Sequence, residues 1–575
     1  MSVSLSGAGA IPASKPYYNL GSHAWRVTTV SADAQAWFSR GAVWAYSFNH
    51  DEAAACFEQV VAHDPSCAMG YWGAAFAYGP NYNKPWKAFD PADQERSVRR
   101  THELARLAKR HSSTATPLEQ GLIDAVQYRF PSSEAPESFE ESTAEYAKAM
   151  RAVYRRFGDH LDVIALAADA LMNTTPWKLF EAYTGNPNRA SPVQEVKDML
   201  ERGLALPGAK HHPGLLHMYI HLMEMSRTPE VAAKIADCLR GLVPDGGHMQ
   251  HMPSHIDVLI GDYRRAIDAN MKASVADDKY FAREPARIFY SFYRLHNLHS
   301  LIYAAMLAGQ AKVALEATDR MEGAITEDLL RVESPPMADW IEFFLGVRVH
   351  VLIRFGLWNE LKRLSIPRDK ELYCVTTASR HYGRGIASAV LGELEQADKE
   401  RALFREAVGR VPASRLDFPN KSQVTLQVAT AMLDGELEYR RGNITAAFAS
   451  LKLAVERDDA LVYAEPWSWM MPTRHPYAAL LLEQGQVEEA SRLYAEDLGF
   501  GGELVRAHQH PNNVWALSGY HECLVKLGRT GEAKVIGKLL DIARAGADVP
   551  ISSSCFCRLG TPEDGTAEDL GGCCK

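Results

Sequence analysis

A glycine followed five positions later by a small residue recurs through the second half of the chain, and this pattern constrains the fold most. The pairs are Gly261/Ala266, Gly309/Ala314, Gly392/Ala397, Gly442/Ala447, Gly485/Ala490 and Gly528/Ala533. A glycine can adopt the left-handed conformation that ends a helix, and a small residue on the next helix allows close packing. The glycines are 48, 83, 50, 43 and 43 residues apart. The pattern therefore predicts helical hairpins of unequal length, with Gly356 and Leu361 filling the long interval.

The stretch AQAWFSRGAVWAYSFNHDEAAACFEQVVAHDP, which begins at Ala34, fits a tetratricopeptide repeat without a gap. Trp37 takes the aromatic position, Gly41 and Ala53 take the small positions, and Pro65 closes the unit. Runs of alternating β-branched residues with glycine turns are nearly absent. We therefore predict an all-α fold, a tetratricopeptide-like solenoid of degenerate helical hairpins.

Three regions follow from this pattern. Residues 1–30 are expected to be an irregular lead-in, and residues 31–545 are expected to form the helical solenoid with its histidine-rich site. Residues 546–575 are small, polar and turn-rich, which predicts a flexible, cysteine-rich tail.

Composition excludes several classes of function. The net charge of -9 and the lack of a long basic run argue against a nucleic-acid partner. The sequence contains no stretch of 18 apolar residues and no basic-then-apolar leader, so no membrane span or secretion signal is expected. The cysteines before residue 546 are scattered, as in a reduced cytoplasmic protein, and cytoplasmic localisation is predicted.

Histidines are concentrated in one segment of the chain. Seven of the 21 lie between His211 and His255, in HHPGLLHMYIHLMEMS and GHMQHMPSHI. His217 and His221 are four residues apart, as are His251 and His255, so each pair would share one face of a helix. Such strips are how helices hold a metal ion. The alternative is a polar, metal-free histidine cluster.

Further residues belong to the predicted site. Glu224 follows His221 by three positions, in step with the helix, and could be a ligand, a residue that orients a ligand, or a catalytic general base. His299, on a later helix, and His248 are the reserve ligands. Pro253 interrupts the second segment, so His251 could lie on a bent helix or on a loop.

These segments carry a family resemblance. The chain resembles a poorly characterised family of tetratricopeptide-repeat proteins of bacteria and fungi across roughly residues 20–540. The matching segments are CAMGYWGAAFAYGPNYNKPW, ADALMNTTPW, HHPGLLHMYIHLME, HMPSHI, HNLH and HPNNVWALSGY. The resemblance implies the fold and the place of the site, but it implies no reaction.

The chemistry of the donors suggests a function. Imidazoles suit copper, zinc, iron and nickel, and the absence of HExxH argues against a zinc protease. Four tail cysteines, Cys555, Cys557, Cys573 and Cys574, could carry Cu(I), or could simply be redox-labile or pair as disulfides. We predict a metal-dependent enzyme, with copper favoured over iron or zinc, that oxidises a small molecule. The alternative is a non-catalytic scaffold whose repeat surface binds a peptide or protein. The substrate and the oligomeric state cannot be read from the sequence.

Overall fold

The computed structural model describes residues 9–284, 288–502 and 504–558. The helices before residue 282 are α1 (Ala32–Tyr46), α2 (His50–His63), α3 (Ala68–Tyr78), α4 (Pro91–His111), α5 (Pro117–Arg129), α6 (Glu140–Phe157), α7 (Leu161–Met172), α8 (Val193–Leu204), α9 (Pro213–Met223), α10 (Ala233–Leu239), α11 (Gly247–His251), α12 (Pro253–Leu259) and α13 (Tyr263–Phe281). Helices account for most of the described chain, so the all-α prediction is confirmed.

The later helices are α14 (Tyr290–Leu307), α15 (Ala311–Ala324), α16 (Glu327–Leu330), α17 (Met337–Ile341), α18 (Val347–Arg354), α19 (Trp358–Arg363), α20 (Cys374–Val390), α21 (Leu394–Val408), α22 (Ser422–Arg440), α23 (Ile444–Asp459), α24 (Arg474–Glu483), α25 (Val487–Asp497), α26 (Val514–Lys526) and α27 (Thr530–Arg544). Short 3-10 turns span Trp86–Ala88, Ser112–Thr114, Ala209–His211, Pro229–Ala232, Glu342–Gly346 and Arg506–His508. The strands described are β1 (Leu416–Asp417) and β2 (Asn420–Lys421), which pair antiparallel.

The chain forms two compact units. Unit 1 comprises Met1–Ile256 and Lys272–Arg294, and unit 2 comprises Asp257–Met271 and Leu295–Lys575. Within each unit, helices that are consecutive in sequence pack against each other as hairpins. Among the described helices, none is both long enough and apolar enough to cross a membrane.

The glycine turns explain the hairpins. Gly261, Gly309, Gly356, Gly392, Gly442, Gly485 and Gly528 all have φ between 66° and 81°, a conformation that costs an L side chain energy. The residues five positions later, Ala266, Ala314, Leu361, Ala397, Ala447, Ala490 and Ala533, are all buried. The predicted pattern therefore marks real turns, and the solenoid of degenerate helical hairpins is confirmed.

The first hairpin shows why its small residues are needed. The ring of Phe57, on α2, lies between α1 and α3. A Cβ atom at Gly41 would lie 2.8 Å from that ring, and one at Gly73 would lie 2.4 Å from it. Both distances are too short for any larger residue, so these glycines set the close approach of the three helices.

The region after α27 differs from its prediction. A flexible tail was expected over 546–575, but residues 546–558 pack onto unit 2. Ile551 and Cys555 are buried, and the backbone oxygen of Ser554 accepts a hydrogen bond of 2.9 Å from the buried guanidinium of Arg354. The Asp548 carboxylate accepts from the amide of Ala311 at 2.6 Å, at the start of α15. Small, polar composition does not exclude this packing, because these contacts use backbone groups.

The described tail cysteines match the disulfide alternative rather than that of mobile thiolates. Cys555 and Cys557 are buried and joined by a disulfide bond. Cys573 and Cys574 lie outside the described residues. The described half of the tail thus offers no free thiolate for carrying Cu(I).

This packing predicts that two truncations behave differently. A chain that ends at residue 545 should lose the burial of Val549 and Ile551 and deprive the Arg354 guanidinium of one of its acceptors, the backbone oxygen of Ser554. We expect its thermal midpoint, followed by circular dichroism, to fall by about 5 °C or more. A chain that ends at residue 558 should keep the full-length midpoint. Equal midpoints for both truncations would contradict the packing.

Candidate metal centre

Five buried histidines of unit 1 form a closed cluster, which we call the histidine cluster. Its members are His217 and His221 on α9, His248 and His251 on α11, and His255 on α12. Neighbouring rings are separated, centroid to centroid, by 4.7 Å (His217–His221), 5.7 Å (His221–His255), 4.7 Å (His255–His251), 5.7 Å (His251–His248) and 5.0 Å (His248–His217). The four histidines of unit 1 predicted from sequence thus lie together.

Local sequence explains how each segment presents its rings. Pro213 begins α9, where its missing N–H costs nothing, and the helix then places His217 and His221 one turn apart. Pro253 begins α12, so α11 ends at His251 and a new helix carries His255. The proline therefore divides the second segment into two short helices, and His251 lies at the end of the first.

Backbone and side-chain acceptors fix the protonation of two rings. The Nδ1 atom of His217 lies 2.6 Å from the carbonyl oxygen of Tyr46, which can only accept, so Nδ1 carries the proton. The Nδ1 atom of His221 donates in the same way to Oε1 of Glu224 at 2.8 Å. The Nε2 lone pairs of both rings are buried and accept no hydrogen bond within the described chain.

Burial also keeps these two rings uncharged. It lowers the pKa of His217 well below its usual value and lowers the pKa of His221 to about 3. Both are neutral imidazoles at neutral pH, which is the form that binds a metal.

Glu224 connects the two histidine segments. Its Oε1 accepts the Nδ1 proton of His221, and its Oε2 accepts that of His255 at 2.5 Å. Both carboxylate oxygens therefore bind imidazole N–H groups. A carboxylate in this position orients the rings and raises their basicity, as in carboxylate–histidine–metal triads.

The far side of His255 meets another ring nitrogen. Its Nε2 lies 2.7 Å from the Nε2 of His251. Two such nitrogens this close are stable only with a proton between them or with both lone pairs directed at one cation. One ring nitrogen from each of His217, His221 and His248 lies within 4.8 Å of the other two. The buried histidine groups of unit 1 could therefore hold a metal ion.

Aromatic rings enclose the cluster, and two of them sit on strained backbone. Phe48 has φ 55° and stacks on His221 and His248, with centroids 5.6 and 5.5 Å away. Trp177 has φ 61°, and its ring lies 6.1 Å from that of His221. Positive φ is costly for residues with bulky side chains, and such strain concentrates at functional sites.

A small cavity of about 20 Å³, lined mostly by apolar side chains, adjoins the cluster at His217. Asp169 and Asn81 also line it, and burial raises the pKa of Asp169 to about 6. His50 and Asn81 line a second, open cavity of about 440 Å³ as well. His50 and Asn81 thus line both the small cavity at His217 and the open cavity at the surface.

His299, a reserve ligand, lies in unit 2. Its ring faces Phe343 and Phe344, with centroids 5.9 and 5.2 Å away. It is therefore not counted among the unit 1 donors. His248 lies in the cluster instead, although the sequence indicated it only as a reserve ligand.

A second group of potential metal ligands in unit 1, His23, Asp162 and His212, lies at the start of α9. His212 and His23 each place Nε2 within about 3.2 Å of Oδ1 of Asp162, which also accepts from the hydroxyl of Tyr46. The Nδ1 of His212 accepts the amide N–H of Leu215 and caps α9. That bond leaves the proton of neutral His212 on Nε2, so its lone pair is not available to a metal. HHPG at a helix start was the sequence signal for this cap.

Comparisons with known proteins add little to this picture. No protein-family model matches the chain, and no curated protein does. Two similar solved structures are the Naa15/Naa10 complex bound to HypK-THB and yeast Tom70. The first is 12% identical to this chain. The match covers 88% of this chain and 70% of the other chain, with a TM-score of 0.20. The second is 11% identical to this chain. The match covers 89% of this chain and 93% of the Tom70 chain, with a TM-score of 0.26. The fold assignment therefore depends on the helices described above.

The two hydrogen bonds of Glu224 predict how its substitution changes the stability of the protein. Glutamine at this position offers one oxygen where the carboxylate offers two, so Glu224→Gln leaves one buried N–H without an acceptor. We expect the free energy of unfolding of the metal-free protein, measured in urea, to fall by about 2 kcal/mol. Glu195→Gln, which removes an exposed ion pair with Arg151, is the control and should cost less than about 1 kcal/mol. Equal effects would mean that Glu224 does not organise the cluster.

Proposed function

We propose that the histidine cluster of unit 1 binds a transition-metal ion. The observation that carries the proposal is the pair of Nε2 lone pairs on His217 and His221. Both are fully buried, both belong to neutral rings, and neither has a hydrogen-bond partner within the described chain. Burying a polar atom without a partner is costly. A metal ion would satisfy both atoms at once, with His248 as the further donor within reach of both rings; His251 and His255 form a neighbouring group of donors.

In this proposal Glu224 is a positioning residue. Its two oxygens are engaged by His221 and His255, which supports an orienting role over that of ligand or catalytic base. It holds the two rings in the tautomer whose Nε2 can bind metal.

The donor set favours copper. The group formed by His217, His221 and His248 offers imidazole nitrogens alone, whereas iron or manganese sites usually include carboxylate ligands. Copper also binds nitrogen donors more tightly than zinc does in the divalent series. Zinc remains the competing ion for such a site.

The reaction proposed for a copper centre here is the oxidation of a small molecule, with dioxygen accepting the electrons. Bound copper would supply the one-electron redox step. The protein would supply a dry, aromatic enclosure through Phe48, Tyr82 and Trp177. A substrate would approach through the open cavity that meets the small cavity at His50 and Asn81.

Metal analysis tests the centre. Purified protein loaded with Cu(II) and freed of excess metal should retain about one equivalent, and its electron paramagnetic resonance spectrum should show nitrogen hyperfine splitting. His217→Ala and His221→Ala should each lower the retained copper at least tenfold while helicity is unchanged, because solenoid stability is spread over many contacts.

His211→Ala is the matched control, since His211 is exposed and lies in the same segment. That variant should keep full copper. If His217→Ala and His221→Ala also keep full copper, the cluster is not the binding site. If copper is retained but no oxygen is consumed with any tested reductant, the metal-binding proposal stands and the oxidation proposal fails.

A second candidate function is a scaffold that binds a protein segment. A groove of about 520 Å³ on unit 1 is lined by Trp86, Phe130 and Phe139, with Glu134, Glu141 and Glu145 beside them. Aromatic rings with a carboxylate rim are complementary to an extended segment that carries both basic and apolar side chains.

Peptide binding tests this candidate. A fluorescent peptide with alternating lysine and leucine should bind the full-length protein. Changing Glu134, Glu141 and Glu145 together to glutamine should weaken binding at least fivefold at low salt, because those charges steer the basic partner. Changing exposed Glu95, which lies outside the groove, is the control. Unaltered binding by the triple variant would exclude the groove.

A further inference from the structure

Unit 2 contains a small, partly open cavity whose lining combines apolar and polar side chains. It has a volume of about 40 Å³. A cavity needs roughly 10–15 Å³ to hold one water molecule, so this one admits about three to four non-hydrogen atoms. Its walls come from α14, α18, α20, β1, α22 and the segment before α24.

Several polar atoms that line this cavity are buried without partners. They are Oγ of Ser422, Nε1 of Trp469 and Nε2 of His299, none of which forms a hydrogen bond within the described chain. All three side chains are more than nine-tenths buried. The indole N–H can only donate, so it requires an acceptor inside the cavity.

Asp417, on β1, supplies a carboxyl group to the same cavity and is itself buried. Burial raises the pKa of this carboxyl to about 8, and the hydroxyls of Thr425 and Ser468 oppose that rise only in part. No arginine or lysine contributes to this shift. Within the described residues the group therefore lacks the cationic partner that a buried carboxylate usually has.

Aromatic rings form the remaining wall. Phe343, Tyr382 and Trp469 all line the cavity, and the rings of Tyr382 and Trp469 meet edge-on with centroids 5.6 Å apart. Ring faces attract organic cations, most strongly when water is excluded.

We propose that this cavity binds a small molecule that carries a protonated amine and a hydrogen-bond acceptor. The ammonium group pairs with Asp417 and contacts the aromatic wall. The acceptor, a hydroxyl or a similar oxygen, receives the Trp469 indole N–H, and Ser422 and His299 complete its hydrogen bonds. This site is independent of the histidine cluster of unit 1.

A metal ion fits this cavity less well. In the described part of the chain, Asp417, His299 and His350 do not place three donor atoms within 4.8 Å of one another. The rings of Phe343 and Trp469 also offer no ligand atom. An organic cation satisfies both the carboxyl group and the rings.

Isothermal titration calorimetry on the full-length protein tests the proposal with ethanolamine and methylamine as probes. Ethylene glycol and methanol are the matched uncharged molecules. Ethanolamine should bind saturably at one site per chain and more tightly than methylamine, which lacks the acceptor. Ethylene glycol and methanol should bind at least tenfold more weakly than the corresponding amines. Absence of amine binding, or equal binding of the uncharged molecules, would overturn the proposal.

Two variants and one control locate the site. Asp417→Asn and Trp469→Phe should each weaken ethanolamine binding at least tenfold. Trp467→Phe is the control, because Trp467 stacks on Tyr303 and does not line the cavity. If Asp417→Asn fails to fold, Trp469→Phe still decides the matter. Unchanged binding by Trp469→Phe, or by a folded Asp417→Asn, would overturn the proposal.

Discussion

The candidate metal centre depends on a single buried carboxylate, that of Glu224. A buried carboxylate is tolerated only when donors satisfy its oxygens, and here those donors are the Nδ1–H groups of His221 and His255. These two bonds connect α9 to α12 and determine which nitrogen of each ring is protonated. The carbonyl of Tyr46 does the same for His217. The chemistry of the cluster is thus set by acceptors outside it, which leave the Nε2 atoms of these rings as its donors.

The aromatic rings around the histidine cluster require a strained backbone, and they restrict access to the cluster. Phe48 and Trp177 hold a backbone conformation that L residues seldom adopt, and each places its ring against His221. Packing elsewhere in the unit must offset that strain. The enclosure excludes water, which strengthens electrostatic interactions with a bound ion and slows its exchange. The small cavity at His217 is the part of this enclosure that admits a further molecule.

Much of this arrangement could be predicted from sequence, because it follows local periodicity. Spacing of four residues predicted the shared helix face of His217 and His221 and the closeness of His251 to His255, although Pro253 places these last two on separate helices. The glycine–alanine pairs predicted the hairpin turns. Periodicity does not report tertiary position, so the entry of His248 into the cluster and the place of His299 in unit 2 could not be derived. Composition also gave the wrong prediction for residues 546–558. Their packing includes a hydrogen bond to the distant guanidinium of Arg354, which composition does not report.

The most direct test of the metal centre is a crystal structure of the copper-loaded protein with diffraction measured on both sides of the copper absorption edge. The account predicts an anomalous peak in unit 1 about 2 Å from the Nε2 atoms of both His217 and His221, with Glu224 outside bonding distance and still holding His221. An anomalous peak elsewhere, or none at the histidine cluster in fully loaded crystals, would contradict it.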